Sequence, residues 1–126
     1  MNFAEFWAFA PFVAFGGAVG AITRWATFRA WGSGRVSSAL LTVNLAGSFA
    51  LGVFYALSPS VPWQATVTLV AFTGGLTTFS TLVVDIAMSL RSRLWWRALV
   101  STVVHFGGGA VCALFGAGAV MLTIGA

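Results

Sequence analysis

The sequence has no lysine, one cysteine, one histidine, one tyrosine and only two acidic residues among 126. Each shortage closes a class of function. Cys112 alone forms no internal disulfide and gives no reading of redox compartment. One histidine and one cysteine cannot build a metal cluster. Glu5 and Asp85 stand far apart, so there is no carboxylate pair, and without lysine there is no Gly-Lys-Ser/Thr phosphate loop. Serines, His105 and Asp85 are all present, as in most chains, and no catalytic constellation emerges from them. Charge is scarce as well. It amounts to 6 % of residues, against about 25 % in soluble domains. An ordinary soluble enzyme is excluded, and so is a disordered chain, which needs low hydrophobicity and high charge.

What remains is apolar. Sixty per cent of residues are hydrophobic, and the mean hydropathy is +0.99. All six cations are arginine, giving a net charge of +4 and a pI near 11.3. Six arginines scattered over this much apolar sequence make no basic groove for nucleic acid. They fit the loops of a membrane protein.

The charges divide the chain into uncharged stretches, and a helix crossing the hydrocarbon needs about 20 apolar residues. Phe6 to Thr23 fits one span. Val36 to Val84 is long enough for two, with Pro59 and Pro62 marking the turn between them. Leu94 to the C-terminus holds a fourth, with Arg97 near its start. The helices are placed near 5–28, 37–57, 63–89 and 97–124. They form a single four-helix domain with short loops. All six tryptophans (Trp7, Trp25, Trp31, Trp63, Trp95 and Trp96) fall near expected span ends, where amphipathic rings settle at the headgroups. The first segment lacks a basic n-region and is not expected to be a signal peptide. Phe3, Phe6, Phe9, Phe12 and Phe15 recur every third residue. That spacing drifts about 60° per step around a helix and spreads them as packing and lipid-facing bulk.

With four spans, both termini share a side that carries only Glu5 and the uncharged turn 58–63. The other side carries Arg24, Arg29, Arg35, Arg91, Arg93 and Arg97. The positive-inside rule puts the arginine loops in the cytoplasm. If Arg24 is partly buried, the imbalance is five to zero.

Fifteen glycines are many for a helical chain, and in membranes they permit close backbone approach. Gly16-x-x-x-Gly20 and Ser48-x-x-x-Gly52 read as packing motifs, and Gly107-Gly108-Gly109 reads first as packing, otherwise as a bend or as space cleared for a pathway. The stretch Thr73-Gly74-Gly75-Leu76-Thr77-Thr78-Phe79-Ser80-Thr81 reads differently. It lies near the middle of the third span and predicts a break at the glycine pair. Exposed peptide groups survive at that depth only where protein or a wet cavity satisfies them, and such breaks often bind ions. The competing reading is an unbroken helix whose hydroxyls bond back to their own carbonyls. Asn44, also mid-span, is either interhelical glue or a donor to a passing anion. His105 is either a packed neutral histidine or a pore-lining residue. Asp85 reads as a vestibule or helix-end charge.

These motifs resemble the Fluc (CrcB-like) family of small fluoride channels over nearly the whole chain. Gly16-Gly17-Ala18-Val19-Gly20-Ala21-Ile22-Thr23-Arg24-Trp25 resembles the family's first-helix pattern. Leu41-Thr42-Val43-Asn44-Leu45 with Gly47-Ser48-Phe49 resembles its second-helix asparagine motif. Gly74-Gly75-Leu76-Thr77-Thr78-Phe79-Ser80-Thr81 resembles its third-helix signature. The resemblance implies an all-α integral membrane protein of four transmembrane helices, the third broken at the midplane, assembled as an antiparallel dimer. It implies a passive channel in the inner membrane that relieves cytoplasmic fluoride. It implies a structural Na⁺ at the dimer centre, held by the backbone carbonyls of Gly74 and Thr77, and two pores lined in part by Asn44 and third-helix phenylalanines. Fluoride is small and strongly hydrated, so a pore must replace its water with donors. Asn44, Ser80 and Thr81 can donate, the electropositive edge of Phe79 can face an anion, and a central cation would offset the anion's cost at the midplane. His105 and position 82 complete the expected pore.

The sequence also departs from the family. Leu82 replaces the second phenylalanine, Gly109 and Ala113 stand where the fourth helix often carries Ser and Thr, and Asp85 stands where Glu is usual. The arginine bias adds to this, because a homodimer of opposed subunits requires the chain to insert both ways. The partner is therefore either a second copy or an oppositely oriented homologue that supplies the missing pore groups. Two other readings remain: a small four-helix multidrug exporter, which needs a carboxylate deep in the first span, and a non-conducting partner subunit.

Overall fold

A computed structural model describes residues 3–31 and 36–124, with side chains for 7–31 and 38–124. Five α-helices and one 3-10 turn account for almost all of it. They are α1 (Phe3–Trp31), α2 (Val36–Leu57), the 3-10 turn Ser58–Ser60, α3 (Trp63–Leu76), α4 (Phe79–Arg91) and α5 (Trp95–Ile124). Three stretches of the described residues are long and apolar enough to cross a membrane: Ser38–Ser60, Trp63–Arg91 and Trp95–Ile124. The second of these is α3 and α4 taken together. The chain is an all-α membrane protein of four helices with the third in two halves. Helix α1, 29 residues long, contains the uncharged stretch read as the first span and continues past Arg24 for two further turns.

The helices pack as two close pairs, α1 with α3 and α2 with α5, and in each pair glycine is what allows the approach. A Cβ on Gly16 would strike the carbonyl of Thr68, and one on Gly20 the carbonyl of Phe72. From the other side, a Cβ on Gly75 would strike the carbonyl of Gly17. On the second seam Gly52 meets the carbonyl of Ala113, and Gly116 meets that of Phe49. Small-residue seams of this kind give van der Waals contact where lipid supplies no hydrophobic drive. In the run Gly107-Gly108-Gly109 only the last two pack, against Leu45 and Ser48. Gly107 faces open space.

The phenylalanine repeat divides as its drift requires. Phe9 and Phe12 meet Trp63 edge-on, with ring centroids 4.7 and 5.4 Å away, while Phe15 is exposed. The side chains of Phe3 and Phe6 lie outside the described residues. All six tryptophans are exposed. Trp31 ends α1, whereas Trp63 and Trp95 open α3 and α5. Pro59 sits in the 3-10 turn and Pro62 caps α3, as their fixed φ and missing N–H favour. The α4–α5 reversal is tight. Arg93 adopts φ 58°, and the Leu94 amide donates to Ser89 O at 2.9 Å.

Candidate ion site at the broken helix

Fourteen residues of α3 precede the break and thirteen of α4 follow it, so it falls halfway along the third span. It does not fall at the glycine pair, where the sequence places it. Gly74 and Gly75 remain helical, and only Thr77 (φ −76°, ψ 157°) and Thr78 (φ −145°, ψ 118°) are extended. The reason is packing. Gly75 is the helical contact point with α1, and the chain departs only after that contact is complete. Thr77 and Thr78, β-branched, suit extended backbone.

All four backbone polar groups of these two residues are satisfied. The Thr77 amide donates to Thr73 O at 3.0 Å. Thr77 O accepts from Arg24 Nη1 at 2.8 Å. The Thr78 amide donates to Asn44 Oδ1 at 2.9 Å, and Asn44 Nδ2 donates to Thr78 O at 3.3 Å. The Asn44 carboxamide thus pairs with both backbone groups of one residue, as the facing residue of a neighbouring antiparallel strand would. An unsatisfied peptide group in hydrocarbon costs several kcal/mol, so these bonds are what make the break tolerable. Gly47 on α2, buried, leaves room for the Thr77 methyl.

The two half-helices present opposite chemistry at the gap. Because the Thr78 amide turns to Asn44, the Gly74 carbonyl loses its usual partner one turn on. The C-terminal end of α3 thus offers oxygens and partial negative charge. The start of α4 offers amides and partial positive charge. Thr78 caps it, with Oγ1 accepting from the Thr81 amide at 3.4 Å and lying 3.3 and 3.1 Å from the hydroxyls of Ser80 and Thr81.

An open cleft of about 380 Å³ borders the break. Asn44, Gly74, Thr77, Phe79, Leu82 and His105 all line it, as do Ser48 and Phe106. Ser80 and Thr81 do not; they stay with Thr78 at the α4 terminus. Phe79 is exposed and meets Phe106 edge-to-face at 6.3 Å and 72°. Leu82 is buried, at 3 % exposure. His105 Nδ1 lies 2.8 Å from Ser101 O, and since a carbonyl only accepts, Nδ1 carries the proton. Nε2 is buried without a partner among the described residues. A second cleft, of about 360 Å³, lies beside Asp85, Arg97 and Ser101, and His105 borders both. Asp85 accepts from Arg97 Nη2 at 3.3 Å and from Ser101 Oγ at 3.4 Å.

Two residues escaped the sequence reading as site residues. Arg24 is counted there as a loop charge, yet it reaches the break. Its signal is an arginine inside a helix that continues beyond it. Phe106 gives the cleft a second ring from α5, and nothing in its local pattern marks it. No group of three or more His, Cys, Asp or Glu side chains gathers among the described residues, so a cation here would rely on backbone oxygens.

This assembly, an apolar helical chain whose third span is broken halfway along, defines a multi-pass membrane protein. The family described as "CrcB-like protein, Camphor Resistance (CrcB)" matches residues 11–117, and the chain belongs to it. Relatives include the "Fluoride-specific ion channel FluC" of Saccharophagus degradans, 37 % identical over 98 residues and covering 73 % of each chain. The protein of that name from Cupriavidus metallidurans is 33 % identical over 113 residues, covering 82 % of this chain and 87 % of the relative. The one from Salinibacter ruber is 31 % identical over 119 residues, covering 90 % of each.

Proposed function

We propose that this chain is a subunit of a passive, fluoride-selective channel that lowers cytoplasmic fluoride. The observation that carries the reading is the fully satisfied break at Thr77–Thr78, with an amide end and a carbonyl end exposed halfway through the bilayer. Fluoride moves along the cleft past Asn44, Phe79, Leu82 and His105, and the hydroxyls of Ser80 and Thr81 assist at the α4 terminus. One N–H of the Asn44 amide is committed to Thr78 and the other is free for an anion. The edges of Phe79 and Phe106 add electropositive hydrogen.

A structural Na⁺ fits the carbonyl end of α3. A hard cation takes oxygen ligands. The Gly74 carbonyl has lost its helical amide, and Thr77 O keeps one lone pair beside its bond to Arg24. Two carbonyls are too few for a complete shell, which supports a second subunit contributing the same pair. Bound there, the cation supplies positive charge that offsets the cost of an anion at this depth.

That subunit is antiparallel, either another copy or an oppositely oriented homologue. With Arg24 engaged at the break, the remaining arginines are Arg29, Arg35, Arg91, Arg93 and Arg97, all on one side. Arg35 lies outside the described residues. The bias favours one orientation, in the inner membrane with the arginine loops cytoplasmic, and hence a homologous partner. Gly109 and Ala113 pack on α2 and add no polar wall, which favours such a complement or, as a second reading, a non-conducting partner role. The exporter reading falls behind, because Glu5 at the edge of α1 is the only carboxylate there.

A fluoride-selective electrode reading of efflux from liposomes holding only this polypeptide tests the proposal. Efflux without a proton gradient is expected. Dependence on a proton gradient would make the chain a transporter. Absence of efflux from the polypeptide alone is the outcome for a chain completed by an oppositely oriented homologue, and absence of efflux with that homologue reconstituted beside it would leave it a scaffold. Fusion reporters at the C-terminus, expressed without a partner, test orientation; signal from both sides of the membrane would overturn the heterodimer.

A further inference from the structure

We infer that the Ser48 hydroxyl is an ion-facing donor of the cleft, occupying from α2 the space that a side chain on α5 would fill. The inference rests on the channel reading and assigns one more residue to its path. Ser48 follows Asn44 by one helical turn, so both lie on one face of α2, and both line the cleft with Phe79 and His105.

Its hydroxyl is uncommitted. Thr42, Thr68, Ser89 and Thr102 each donate to the carbonyl four residues earlier, the usual way a helix satisfies a hydroxyl in an apolar setting. Ser48 makes no such bond and no other among the described residues, and its Oγ is not sealed from the cleft. A hydroxyl that gives up self-satisfaction in a membrane is costly unless something polar reaches it. Here the cleft brings the ion to it. A serine O–H rotates freely and is a good donor to an anion shedding water.

Facing it is Gly109, buried on α5. A Cβ there would lie 3.1 Å from Ser48 Oγ and 3.9 Å from Ser48 Cβ. The two positions therefore share one space, and a hydroxyl is accommodated on either helix but crowded on both.

The test uses fluoride efflux from liposomes with Ser48→Ala, Gly109→Ser and the double variant, each checked for reconstitution and thermal unfolding. Ser48→Ala is expected to slow efflux by about fivefold, the worth of one hydrogen bond. Gly109→Ser alone is expected to lower the unfolding temperature, and the Ser48→Ala/Gly109→Ser pair to restore both stability and efflux. A second readout does not depend on flux. In a Cys112→Ala background, Ser48→Cys should react with a water-soluble thiol reagent and be protected by fluoride. Wild-type efflux with Ser48→Ala unchanged overturns this inference and leaves the channel standing, as does Ser48→Cys that stays unreactive. A wild-type chain that passes no fluoride either alone or reconstituted with an oppositely oriented homologue overturns both. A double variant no better than Ser48→Ala overturns the shared position.

Discussion

Asn44 pairs with both backbone groups of Thr78, 34 residues away, through one carboxamide. The pairing splints an extended residue in the middle of a membrane helix, and it fixes where α4 begins. Replacing Asn44 with Ala leaves an amide and a carbonyl unpaired together. About 1–3 kcal/mol per orphaned group is the expected loss of stability. Thermal unfolding in detergent should show the drop, and the electrode assay should show efflux nearly abolished. Unchanged unfolding would mean that the break does not depend on this side chain.

Arg24 does the same for Thr77 O with a charged donor. Arg24→Leu should cost about 1–3 kcal/mol by stranding that carbonyl. Arg24→Lys keeps the charge but not the guanidinium fork and should lie between the two. Unfolding curves of the three proteins give the order directly.

The glycines separate into two kinds. Gly20→Ala and Gly75→Ala push a methyl into the backbone across the α1–α3 seam, and overpacking of this kind costs about 1–3 kcal/mol or more. Gly107→Ala and Gly118→Ala meet nothing within 4 Å. There the helix preference for alanine should give about 1 kcal/mol in the opposite direction. Unfolding temperatures that move the same way for all four would contradict the seam.

Arg93 holds φ 58° in the α4–α5 turn, a conformation costing an L-residue about 1–2 kcal/mol. Arg93→Gly removes that strain, and part of the gain is lost to the freer unfolded chain. A rise in unfolding temperature is expected, with efflux unchanged.

Asp85 and Arg97 form a partly exposed pair at 3.3 Å, with side-chain exposures of 21 % and 56 %. Pairs in such settings contribute about 0–1 kcal/mol. Arg97→Gln should hardly alter unfolding, and raising the salt concentration should erase the difference.

Part of this is written locally in the sequence. Prolines at 59 and 62 stand at the α2–α3 turn, where their fixed φ puts it, whereas the charges mark helix ends only loosely: α1 runs on past Arg24, and Asp85 and Arg97 lie inside α4 and α5. Glycines and hydroxyls at 73–81 announce a break. What local pattern could not supply is the position of that break. It depends on Gly75 meeting α1 and on Asn44 and Arg24 arriving from other helices, contacts that leave no periodic trace. The same limit hid Phe106 and the shared space of Ser48 and Gly109, which exist only once α5 lies against its neighbours.

The bond from Arg24 to Thr77 O spans 53 residues of chain. During synthesis the guanidinium emerges long before its acceptor, and an arginine costs about 2.5–3.5 kcal/mol at the centre of a membrane helix on insertion scales and less toward its end, where Arg24 lies. The nascent first helix therefore enters the lipid carrying a debt that only the third helix can discharge. Until α3 emerges, that helix should be the least securely inserted, held back toward the headgroups by its own arginine, and docking of α1 on α3 should be the event that commits the subunit to the bilayer.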